Sequence, residues 1–205
     1  GANWAANYSG AITQPAAGII DYYAAGAQTV NDIAYPGHLT ISGSGTKTWT
    51  LAAGRIVTGN LTIGDGPTLS VAGAFAFTVT GTTTVGAGTS GTLSITNATG
   101  NKTFTGAVTI NAGGIMQETV AAPLVFSNNV TITGTLTENG TATMSIAGSL
   151  LNNGTYTAST GVHTFSGATK TISGSATNTI GSVAVTGTYT NNGTLTVGTA
   201  LSGAG

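Results

Sequence analysis

A short strand signature, apolar–Thr–apolar, returns along this chain at nearly constant intervals. It reads Leu39-Thr40-Ile41, Leu61-Thr62-Ile63, Thr83-Thr84-Val85, Val108-Thr109-Ile110 and Val130-Thr131-Ile132, at steps of 22, 22, 25 and 22 residues. A second signature, an apolar residue, a small one, then Gly or Asn, recurs with the same period. It occurs at Val57-Thr58-Gly59, Val79-Thr80-Gly81, Phe104-Thr105-Gly106, Phe126-Ser127-Asn128, Ile146-Ala147-Gly148 and Ile172-Ser173-Gly174. Two independent signatures sharing one period of this size are the mark of a stacked repeat.

Alternation within each signature turns the apolar side chains to one face and Thr to the other. Three strands of about five residues, joined by three corners, fill one coil of this length. A single coil cannot bury its apolar side alone, so coils must stack. The expected fold is all-β: a parallel β-solenoid with coils of about 20–25 residues, nine or ten of which make a rod of roughly 45 Å. Antiparallel β-sandwich repeats are the alternative, since they also show short strands and frequent turns. They do not predict a 22-residue return of the same signatures.

A third, looser repeat sets a basic or amide residue before Thr and an apolar residue. It reads Gln28-Thr29-Val30, Lys47-Thr48-Trp49, Lys102-Thr103-Phe104 and Lys170-Thr171-Ile172. It assigns three of the four basic residues to one equivalent position. Asn-Gly-Thr at Asn139, Asn153 and Asn192 marks corners, because Asn and Gly tolerate the left-handed backbone of tight turns. Residues 1–17 lack the repeat and hold Trp4 and Tyr8; they read as an N-terminal connector, cap or subunit contact, with the solenoid at 18–205.

Composition agrees with strands. Charged residues are 4% of the chain, against roughly 25% in an average globular protein. Helix formers are scarce and β-branched residues abundant, which suits a pleated surface. The hydrophobic share, 40%, is too high and the charge too low for disorder. Nucleic acids and acidic membranes are held by basic clusters, and four scattered Lys and Arg make none. Without cysteine there is no disulfide framework and no thiolate metal site. Apolar runs such as Val71 to Phe77 are too short to span a bilayer. Gly1 to Asn7 show no initiator Met and no signal pattern, so the expectation is a processed chain or a piece of a longer one.

The stretch Gly26-Ala27-Gln28-Thr29-Val30, followed by His38-Leu39-Thr40-Ile41-Ser42-Gly43-Ser44-Gly45-Thr46-Lys47-Thr48, resembles the β-strand repeats of very large bacterial surface proteins. Such repeats are common in Bacteroidetes-type secreted proteins, and the likeness extends more distantly to filamentous-haemagglutinin and autotransporter-passenger adhesins. Asn191-Asn192-Gly193-Thr194-Leu195-Thr196-Val197 is similar in style. The resemblance implies export, surface attachment and adhesion or filament roles. It carries no catalytic residue onto this chain.

Candidate chemistry is sparse. His38 and His163 each sit beside a strand signature with no carboxylate at metal-ligand spacing, and read as exposed strand residues. Glu118 and Glu138, 20 residues apart, would stack about 5 Å apart, the separation used by retaining glycosidases. No aromatic platform accompanies them, and they read as solvated corner residues. Asp65, in Gly64-Asp65-Gly66-Pro67, reads as a turn residue; Asp21 and Asp32 would hold a cation only if folding joined them. No catalytic, cofactor or metal residue is therefore assigned. Sequons stand at Asn7, Asn60, Asn97, Asn101, Asn129, Asn139, Asn153 and Asn192, candidate N-glycosylation positions in a cell that has the enzyme. The aromatic residues are expected mostly at inward or corner positions.

These readings converge on a non-enzymatic extracellular structural protein, an element of a surface fibre, filament or adhesin stalk. Its expected partners are further copies of itself or the rest of a larger surface protein, with surface glycans as a further candidate. A glycan-binding or glycan-cleaving solenoid enzyme is the alternative.

Overall fold

A computed structural model describes residues 14–203. Among them there is no helix; the chain forms strands that wind around three faces in strict rotation. One coil runs through His38–Ile41 on face I, Gly45–Leu51 on face II and Arg55–Val57 on face III, and Leu61–Ile63 then returns to face I. Face I holds nine strands, from Ile19–Tyr22 to Tyr189–Asn191. Face II holds seven, from Gln28–Thr29 to Thr155–Thr157, and face III eight, from Arg55–Val57 to Thr194–Gly203. In the last two coils the strands Thr177–Val185 and Thr194–Gly203 run on from face II into face III without a break in strand structure. At about 4.8 Å per level, nine levels make a rod of about 40 Å, a little shorter than the sequence suggests.

Every strand pairing in the stack is parallel, which excludes the antiparallel sandwich. Face I pairs Leu39 with Leu61, Leu61 with Thr83, Thr83 with Val108 and Val108 with Val130, the positions of the apolar–Thr–apolar signature. The second signature occupies face III, where Val57, Val79, Phe104, Phe126 and Ile146 align level by level. Ile172 departs from it. It pairs with Leu150 on face I, and the face III residue over Ile146 is Phe165. Coil length explains the slip: the register advances 20 residues from Val130 to Leu150 and 19 from Lys170 to Tyr189.

The basic residues also depart from the expected equivalence. Lys47 lies in a face II strand, Lys102 in a face III strand and Lys170 in a face I strand. The Lys-Thr-apolar pattern falls in a strand in each case, and local alternation does not say which face is meant.

The core is the inward half of each strand. Its spine is a ladder of rings: Tyr35, Trp49, Phe77, Phe104 and Phe126, with successive centroids 5.3, 5.4, 6.1 and 5.4 Å apart. Each such pair adds about 0.5–1.5 kcal/mol beyond the area it buries. Phe75 and Tyr23 are exposed, and both lie in corners between strands. A column of glycines, Gly37, Gly59, Gly81 and Gly106, lines the corner from face III to face I. A Cβ at any of them would run into the backbone carbonyl of the glycine one coil below. Coils touch there backbone to backbone at these four levels, which favours Gly; one level on, Asn128 takes the position.

Candidate functional site

Chemistry-bearing side chains gather inside the corner where face II hands over to face III. Ile115–Glu118 ends its face II strand at Glu118, and pairing of Gln117 with Thr137 brings Glu138 to the same place one level on. One inward position of the face III strands runs Lys102, Leu124, Met144 and His163 up successive levels. Acidic side chains therefore end one face while a lysine and a histidine stand early in the next.

The structure corrects the expected exposure. Glu118 is 1% exposed, Glu138 4%, and His163 1%. Corner carboxylates were expected in solvent, but here the turn leaves backbone N–H groups unpaired inside, and a buried carboxylate satisfies them. Glu118 accepts from the Val120 N–H of its own turn and from the Asn139 N–H of the next coil. Glu138 repeats the second bond with the Ser159 N–H at 3.4 Å. It also accepts from the Tyr156 hydroxyl at 2.7 Å and lies 2.9 Å from His163 Nε2.

The other ring nitrogen, His163 Nδ1, faces the Gly161 carbonyl at 3.0 Å. A carbonyl only accepts, so in this geometry Nδ1 is the donor. Burial, with the Glu138 charge alongside, pushes the Tyr156 phenol well above its ordinary range. This arrangement can lock a corner. It offers no route for a substrate atom to reach either carboxylate, because all the side chains are enclosed.

The lysines supply the opposite service. Lys102 is fully buried, and its Nζ donates to the carbonyls of Thr99 (2.6 Å), Gly100 (2.7 Å) and Phe75 (3.3 Å). Burial pushes its pKa down to about 8, while the nearby Glu118 charge pulls the other way. Lys47 is likewise buried at the corner from face I to face II, on the carbonyls of Ala24 (2.6 Å), Gly26 (2.6 Å) and Ser44 (2.7 Å). Each ammonium gathers three turn carbonyls; those of Ala24, Ser44 and Phe75 accept a second hydrogen bond as well. Alternation alone held this signal: Lys47 shares the inward side with Trp49, Lys102 with Phe104 and His163 with Phe165.

The remaining acids act separately. Asp32 pairs with Arg55 at 2.6 Å, and that hydrogen bond holds its carboxyl below the usual range. Asp21 accepts from the Ser42 hydroxyl at 2.8 Å. Asp65 is a turn residue as expected: its Oδ1 accepts from the N–H groups of Ala87, Ser90 and Thr89, which hold it well below the usual range. No group of three or more metal-ligating side chains occurs among the described residues.

His38 is half-buried, and its Nδ1 accepts the Asn60 N–H. The relay continues along that corner: Asn60 Oδ1 accepts the Thr82 N–H, and Asn129 Oδ1 the Ser149 N–H. Of the sequon residues, Asn7 lies outside the described residues. Asn97 is buried with its amide on the Phe75 carbonyl, and the amide of Asn139 donates to the Thr119 carbonyl. Asn60, Asn101, Asn129, Asn153 and Asn192 lie at the surface.

Face II presents a second kind of site, rows of hydroxyls that are exposed at Thr46, Thr155 and Thr157, half-buried at the other threonines and buried at Ser94. Its outward positions form two columns in register. One runs Thr46, Thr68, Thr92, Ile115, Thr135 and Thr155; the other runs Thr48, Ser70, Ser94, Gln117, Thr137 and Thr157. The strand Thr177–Val185 packs on Thr155–Thr157, and pairing of Thr177 with Thr194 and Thr179 with Thr196 continues the pattern. Among the described residues no threonine hydroxyl of these columns bonds to the protein; Ser94 alone takes a bond, from Gln117.

Searches of protein-family models, curated proteins and solved structures gave no match to this chain.

Proposed function

We propose that the chain is a non-enzymatic structural element of a cell-surface fibre or adhesin stalk, working as a stiff spacer. The observation that carries this reading is how its polar chemistry is used. Every buried charge named above is bonded to a corner or to another corner residue. The acids and bases thus hold coils in register, and the only candidate catalytic pair is enclosed among them. A rod of about 40 Å whose levels all pair in parallel suits mechanical separation of two points.

Two further features support it. Two of the four basic residues, Lys47 and Lys102, are inside, which leaves a nearly uncharged exterior. The strand Thr194–Gly203 pairs with the coil before it, and among the described residues no further strand pairs with its outer edge. Such an edge templates another strand, from a following segment or from a second copy. The resemblance to surface repeat proteins points the same way.

Antibody raised against the chain is the test of location and role together. It is expected to decorate intact cells of the source organism along extended surface structures. Labelling confined to permeabilised cells would overturn the proposal.

A further inference from the structure

We propose that face II binds ice, through the two threonine columns at its C-terminal end. The observation is two levels of like groups in register, Thr135 with Thr155 and Thr137 with Thr157. The strand Thr177–Val185, which lies against the second level, carries Thr177 and Thr179 in the same Thr-x-Thr form, paired in turn with Thr194 and Thr196. Between levels the hydroxyls repeat at about 4.8 Å, and along a strand at about 6.6 Å, twice the rise per residue.

Hexagonal ice repeats its oxygen positions at nearly the first spacing along one crystal axis and at slightly more than the second along another. A surface that holds water at both repeats orders a patch of ice-like lattice. A surface that matches one repeat alone does not. Three features of face II fit this task. The hydroxyls are uncommitted, since none of these threonines bonds to the protein among the described residues, whereas threonines at corners, such as Thr96 and Thr119, turn their hydroxyls onto backbone carbonyls.

The side chains are also stiff. β-Branching limits χ1, and the strands are backed by core residues such as Leu136 and Tyr156, so little freedom is lost on binding. Finally, no charged side chain stands in either column to impose a hydration shell of its own; Lys47, the one basic residue of the face II strands, is turned inward and caged. The other faces lack the two-dimensional array. Face I has a single threonine column that ends at Leu151, and face III places Ile56, Val125 and Ala184 among its outward positions. On face II the level of Ile115 and Gln117 interrupts the lattice, which assigns the binding patch to the threonine pairs beyond it.

The test is growth of a single ice crystal in a solution of the purified chain, read as faceting and as a gap between melting and freezing points. The wild-type chain is expected to facet the crystal and open a gap. The double variant Thr155→Tyr, Thr157→Tyr is expected to lose most of that gap. The matched face III variant Thr103→Tyr, Thr164→Tyr is expected to keep it. Circular dichroism and melting establish that each variant folds; should the tyrosine pair not fold, Thr155→Ser with Thr157→Ser removes the methyls at little steric cost and is expected to narrow the gap. A folded wild-type chain that leaves ice unfaceted overturns the proposal. So does a gap that survives the face II changes, or one that falls equally with the face III changes. Retention on crystalline cellulose or chitin with no effect on ice also overturns it, and assigns the lattice to a polysaccharide.

Discussion

Glu138 shows how a single side chain can hold a corner of this fold. Its carboxylate serves a phenol, an imidazole and a backbone N–H that have no water to turn to. Removing one partner of a buried ionic group leaves the others uncompensated, at about 3–5 kcal/mol. Glu138→Ala is therefore expected to lower unfolding free energy by about that amount, while Tyr156→Phe, which deletes one bond, costs about 1 kcal/mol. Urea denaturation of the two variants checks the ratio. Lys102 makes a prediction of opposite character. Its folded pKa, pushed down to about 8, lies below the unfolded value of about 10.4. Between those values the unfolded chain binds the extra proton, so stability rises with pH through that window. Below about 8 both states are charged, and above about 10.4 both are neutral, so the slope vanishes at either end. Lys102→Met is expected to flatten the slope in a pH series of denaturation midpoints.

At the scale of the element, the strand is set by alternation and the corner by sterics. Gly81 lies over the Gly59 carbonyl with no room for a Cβ. Gly81→Val is expected to force the coils apart locally, costing about 1–3 kcal/mol as overpacking does, and to lower the melting temperature accordingly. The same change at Gly54, where a Cβ meets only the Ala76 carbonyl at 4.0 Å, is expected to be nearly neutral. Strands on face I were legible in the sequence because Leu61-Thr62-Ile63 and its relatives keep one spacing. The closing signature was legible until Ile172, where a shortened coil moved the pattern to another face. The three-face assignment of the lysines was not legible, since Lys-Thr-apolar lies in a strand wherever it occurs, whichever the face. Their burial was legible in principle, because Lys47 and Lys102 share the apolar side of their strands. The habit of placing charge outside hid it, and only the turn carbonyls around each Nζ show what offsets the burial.

The whole molecule is a rod whose stability is a sum of levels, each leaning on its neighbours. The corner network of Glu118, Glu138 and His163 was the least legible part, since it joins residues from three successive coils. A 20-residue spacing was visible between the two glutamates, but not that both point inward. What the rod does follows from its shape, so its shape is the thing to measure. Electron microscopy of the purified chain tests this most directly. Particles about 40 Å long, alone or joined end to end in whole multiples of that length along one axis, are expected; isodiametric particles, or sheets formed by lateral association, would overturn the rod.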